Sequence, residues 1–167
     1  ANPLAFGRAT RIQQLAAKVS DALGYKRKWQ VEMAAVLSQL GFITLPPETV
    51  EKAYYGGALT DLEGKQIEQV PFVASELLRN IPRVEGVRTI LTVHRRPFRR
   101  DASSDPARTE IERGGQILRV ALDYDELERT HDARLALDTM LGRSDAYDPA
   151  VIEALADVVR PGLAETD

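Results

Sequence analysis

Side chains able to carry chemistry are few and unevenly placed in this 167-residue chain. It has two histidines, His94 and His131, and no cysteine. Thiolate nucleophiles, thiolate zinc sites and disulfides are thereby excluded, and only two imidazoles remain for acid-base work. Ser38 and Gln39 stand side by side in an otherwise apolar stretch, where a hydroxyl nucleophile would be sheltered. No histidine stands in a recognisable nucleophile-base arrangement with Ser38, so hydrogen bonding within a core is the expected role. Asp123, Asp125, Glu126 and Glu128 gather carboxylates, but their spacing fits no cation-binding loop and a solvated helical face accounts for them. Arg95, Arg96, Arg99 and Arg100 concentrate guanidinium forks of the kind that hold phosphate or carboxylate. They are candidate anion-binding residues, set against the plainer reading of a solvated loop. His94 beside them lacks companions for a metal, so a structural or solvent-facing role is expected.

The elements that position these residues read as helices throughout. Ile12, Leu15, Ala16, Val19 and Leu23 recur at helical spacing and Gly24 closes the series. A second helix is expected from about Lys28, burying Trp29, Met33, Val36, Leu37 and Leu40 and stopping at Gly41 before an extended 42–47. A short third spans 48–55, followed by a surface loop at Tyr54 to Gly57. Thr60 and Glu63 have capping-box spacing ahead of Ile67 and Val70, and Pro71 predicts a bend or restart before Val73, Ala74, Leu77 and Leu78. Val84, Val87, Leu91 and His94 trace a fifth helix. Loop chemistry then runs from Arg95 to about Glu110. Ile117 to Leu127 and Leu135 to Leu141 are helical, His131 falls at a helix start, and Asp148-Pro149 opens the last helix. The fold class expected is all-α, a multi-helix bundle.

Composition bounds the rest. Hydrophobic residues at 44% and charged residues at 28% describe an ordinary globular chain, whose length suits one domain over 1–167. The net charge of −3 argues against generic nucleic-acid binding. The longest uncharged run, Met33 to Pro47, falls short of the ~20 apolar residues a membrane span needs. No secretory leader is evident at Ala1, so no membrane role and a cytoplasmic location are expected.

Several local phrases resemble the HD-GYP branch of the HD metal-dependent phosphohydrolases, from about Phe6 to Val159. The segment Val36-Leu37-Ser38-Gln39-Leu40-Gly41-Phe42-Ile43-Thr44-Leu45-Pro46 is similar to that family's Leu-Leu-His-Asp-Ile-Gly-Lys-Ile-Gly-Ile-Pro. Leu59-Thr60-Asp61, Val70-Pro71 with Leu77-Leu78, Ile117 to Leu127, and Asp148-Pro149-Ala150-Val151-Ile152 resemble later parts of the same pattern. The resemblance implies an HD-type helical bundle in the output region of a bacterial two-component response regulator.

The departures fall on the positions that the family uses for metal. Arg8 stands where the first histidine would be, and Ser38 and Gln39 replace the His-Asp pair. Val70 replaces the histidine before proline, and Leu122 the last aspartate. The double histidine is reduced to Val93-His94, and no Gly-Tyr-Pro follows. The resemblance thus implies vestigial positions at Arg8, Ser38, Gln39, Val70, Val93, His94 and Leu122, with no catalytic residue, metal or cofactor. An inert regulatory domain is the first reading, acting on an upstream receiver domain, another signalling protein or its own copy. Leu4 and Phe6 are candidate apolar anchors of such an interface, with Arg8 and Arg11 as its polar rim. The alternatives are a pseudoenzyme that binds a nucleotide or cyclic dinucleotide, and a phosphohydrolase with an unrecognised site.

Overall fold

A computed structural model describes residues 3–100 and 105–165. Among these the chain forms eight α-helices and two 3-10 turns, with no strand. α1 (Pro3–Leu23) buries Ala5, Arg8, Ala9, Ile12, Ala16, Val19 and Ser20, one stripe at three- and four-residue intervals. Gly24 ends it at a φ of +62°, a left-handed conformation that costs glycine nothing.

α2 (Lys28–Leu40) lies against α1 with a face that matches the expected one only in part, since Leu37 packs on the main core but other expected residues do not. Val31, Ala34, Ala35 and Ser38 are buried, whereas Trp29 and Met33 are 52% and 44% exposed. Both series fit a helical period. The small side chains win because they let the two helix backbones approach closely. Residues 41–44 form a 3-10 turn where an extended segment is expected from 42, and only from Leu45 does the chain extend toward α3 (Pro47–Tyr55).

α4 (Asp61–Leu77) opens with the expected capping box: Glu63 N–H donates to Thr60 Oγ1 and Thr60 N–H to Glu63 Oε2. Pro71 sits inside it without a restart. An interior proline costs about 3 kcal/mol. Burial of Val70, Ala74 and Leu78 on the same side offsets that cost.

α5 (Glu85–Val93) is followed by an irregular stretch to Arg100, and α6 (Pro106–Thr130) begins earlier than the arginine-rich composition implies. Asp105 caps it by accepting from Ala107 N–H, and Pro106 supplies the first-turn φ. His131 closes α6 rather than opening the next helix, since Asp132 accepts from Leu135 N–H and caps α7 (Ala133–Gly142). α8 (Pro149–Ala164) is capped in the same way by Asp148.

The main core joins α1, α2, α5, α6, α7 and α8 through fully buried Ile12, Ile90, Leu118, Met140 and Leu155, among others. Each such side chain contributes about 1.5–3 kcal/mol. A smaller cluster of Ala5, Phe42, Val50, Tyr54 and Val70 lies under α3 and α4. No described helix is long and apolar enough to cross a membrane.

Candidate functional site

Two glycines set how closely the walls of the site approach. A Cβ on Gly41 would fall 2.7 Å from both Cγ1 and the carbonyl oxygen of Val70, so the end of α2 meets α4 only without a side chain there. A Cβ on Gly115 would fall 2.5 Å from Val93 Cγ2 and 3.1 Å from the His94 backbone nitrogen, which fixes α6 against the end of α5. With α1 alongside, these contacts bring together the walls of an open cavity of about 330 Å³.

Six positions that match the family's ligand sites line this one cavity: Arg8, Ser38, Gln39, Val70, His94 and Leu122. They come from α1, α2, α4, α6 and the residue capping α5. Val93 is apart, on the wall of a second, larger groove.

Arg8 is 9% exposed, and its Nε donates to Asp125 Oδ2 at 3.1 Å. The reading of Arg8 as a polar rim residue is therefore corrected: it is an interior cation. Asp125, 5% exposed, is likewise no part of a solvated face, since its other oxygen accepts from Arg11 Nε at 2.8 Å. Arg11 keeps an exposed side chain, and this hydrogen bond raises its pKa. Leu4 packs half-buried on the smaller cluster, whereas Phe6 is 76% exposed.

The Arg8 guanidinium also lies 5.4 Å from the Tyr54 ring centroid, and that of Arg129 lies 5.0 Å from it. Burial and the nearby Arg8 charge lower the pKa of Arg129. Burial raises that of Tyr54, against the pull of Arg8. Tyr54 OH donates to Gln39 Oε1 at 3.1 Å, Gln39 Nε2 to Ser38 Oγ at 3.2 Å, and Ser38 Oγ to the Ala35 carbonyl at 2.7 Å. The serine hydroxyl is thus committed to backbone and amide partners rather than to a base.

His94 is 7% exposed, and its buried Nδ1 has no hydrogen-bond partner. Burial pushes its pKa down to about 4. The Leu91 and Ile90 backbone opposes this without meeting hydrogen-bond geometry at Nδ1, while Arg95 and Arg119 push further down. Asp123 shares the cavity but accepts from Tyr147 OH at 2.7 Å, and burial raises its pKa.

The donor set does not fit the metal ions that HD phosphohydrolases hold. Among the described residues no three of His, Cys, Asp and Glu come within reach of one ion. The fixed charge of Arg8 would also repel a cation in this cavity.

The arginine segment is divided by the structure. Arg95 stacks over the Phe72 ring at 5.2 Å and borders the same cavity, whereas Arg96, Arg99 and Arg100 face the larger groove. Tyr54, expected in a surface loop, is instead 6% exposed at the end of α3, and the sequence carries no sign of Arg129 or of the inward role of Asp125. Each lies far along the chain from Arg8, and no local pattern announces the meeting.

A family model described as "HD domain" matches residues 1–151. No curated protein and no solved structure matches the chain.

Proposed function

The chain belongs to the HD domain family, and from that premise we propose that it is a catalytically inert, HD-GYP-like member acting as a regulatory domain through protein contacts. The observation that carries this reading is that Arg8, at one of the matching ligand positions, lines the cavity as a guanidinium held by buried Asp125. In a phosphohydrolase of this family, bound metal generates hydroxide and neutralises the charge developing on the phosphoryl oxygens. Here a guanidinium held by Asp125 supplies fixed positive charge, and although His94, Asp123 and Glu126 line the cavity, no three such side chains among the described residues come within reach of one metal ion. Ser38 and Gln39 join the hydrogen-bond chain to Tyr54 and close that wall of the cavity.

A domain that keeps its framework while its donor set is replaced transmits a signal through its surface. α1 supports this role, because Phe6 stands exposed on a helix whose opposite side enters both cores. The partner we propose is a receiver domain, another signalling protein or a second copy, in the setting of a two-component response regulator.

Turnover of cyclic di-GMP and of a chromogenic phosphodiester, with manganese, iron or zinc added, tests the chemistry. We expect rates at the blank. Hydrolysis lost on His94→Ala in a folded variant would overturn the reading. For the surface, Phe6→Asp should abolish self-association or receiver binding in sedimentation, and assembly unchanged by it would refute α1 as the contact.

A further inference from the structure

One concavity gathers five of the chain's 22 basic side chains. The groove between the segment after α5, the first turns of α6 and the start of α8 has a volume of about 1080 Å³, against about 330 Å³ for the cavity beside His94. Five arginines line it (Arg96, Arg99, Arg100, Arg108 and Arg113) against two carboxylates, in a chain whose net charge is −3.

Those carboxylates are already committed. Glu112 accepts from Arg108 Nε at 3.0 Å and Asp148 from Arg113 Nε at 3.2 Å. Arg100 reaches Asp145 only at 3.4 Å, with both side chains largely in solvent, a pair that contributes little. Arg96 and Arg99 make no ion pair among the described residues. The groove therefore holds two guanidinium forks without an anion and a third that is weakly held.

Its frame is fixed. Arg119 Nη1 donates to the Arg96 carbonyl at 2.9 Å, which anchors the backbone where the arginine segment begins. Asp148 N–H donates to Gln116 Oε1 at 2.9 Å, and both side chains are buried, tying α8 to α6 beneath the groove. Half-buried Phe98 adds an apolar wall.

Like charges gathered in a concavity repel one another until an anion neutralises them, and planar forks match phosphate oxygens in pairs. We propose that this groove is a binding site for a small oligophosphate, carrying two or more phosphate groups, separate from the His94 cavity. The site is independent of whether that cavity is inert. A long polyanion is disfavoured because the chain as a whole carries a net charge of −3.

Calorimetric titration of the full chain with sodium tripolyphosphate, ATP and adenosine tests the assignment. One molecule of tripolyphosphate or ATP should bind, with affinity falling several-fold between low and moderate salt, and adenosine should not bind. Tighter binding of ATP would make the source a nucleotide, and tighter binding of tripolyphosphate a non-nucleotide phosphate. The double variant Arg96→Ala/Arg99→Ala should lose tenfold or more in affinity with an unchanged ligand-free melting temperature, since neither side chain is paired. Ser38→Ala, in the other cavity, should bind as the parent does. No binding of either phosphate at millimolar concentration, undiminished binding by the double variant, or loss of binding in Ser38→Ala would overturn the proposal.

Discussion

Asp125→Ala tests whether the Arg8 ion pair holds the cavity together. The substitution removes the carboxylate shared by Arg8 and Arg11, whose side chains are 11% and 54% exposed. Arg11 can turn to water, so its share of the loss is at most about 1 kcal/mol. Arg8 cannot, and a buried charge stripped of its partner costs about 3–5 kcal/mol. The Tyr54 ring offsets part of this, which places the expected total near the lower end. A chain of this size loses about 2–4 °C of melting temperature per kcal/mol, so a fall of at least about 6 °C is expected. Urea denaturation followed by far-UV circular dichroism gives the free energy directly. Arg8→Met should cost less, because Arg11 remains to neutralise Asp125. Arg8→Met combined with Asp125→Leu should recover most of the loss, since apolar replacement of both partners removes the desolvation penalty. A cost below about 1 kcal/mol for Asp125→Ala, or no recovery in the double variant, would refute the role assigned to this pair.

Burial that holds His94 near a pKa of about 4, below its ordinary 6.5, has a signed consequence. Its contribution to stability is complete above pH 6.5 and is lost as pH falls toward 4, with a slope of up to about 1.4 kcal/mol per pH unit. His94→Phe should flatten the difference between urea midpoints at pH 7 and pH 5, and an unchanged difference would contradict the burial argument. Gly41→Ala drives a Cβ into the Val70 backbone and should destabilise by about 1–3 kcal/mol in the same assay, and a neutral effect would show that α2 and α4 separate freely. Thr60→Ala removes the capping-box acceptor for Glu63 N–H and should cost about 1 kcal/mol, read as a lower urea midpoint.

The helix ends were legible in the sequence because their causes are local. Thr60 with Glu63, Asp148 with Pro149, and Gly24 after an apolar stripe each act within one turn of backbone, and the structure uses all three. Asp105-Pro106 carries the same signal as Asp148-Pro149, but the surrounding arginine-rich composition obscured it.

What the sequence did not decide was which of two periodic faces is buried and which distant charges meet. On α2, Val31, Ala34 and Ala35 turned inward because close approach to α1 favours small side chains over Trp29 and Met33. Family resemblance grouped Arg8, Ser38, Gln39, Val70, His94 and Leu122 by alignment, and the close contacts at Gly41 and Gly115 bring them to one cavity. Arg8 and Asp125 are 117 residues apart, and nothing in either neighbourhood specifies the other. A buried charge requires a partner, but only the packing of α1 against α6 determined that this one is Asp125.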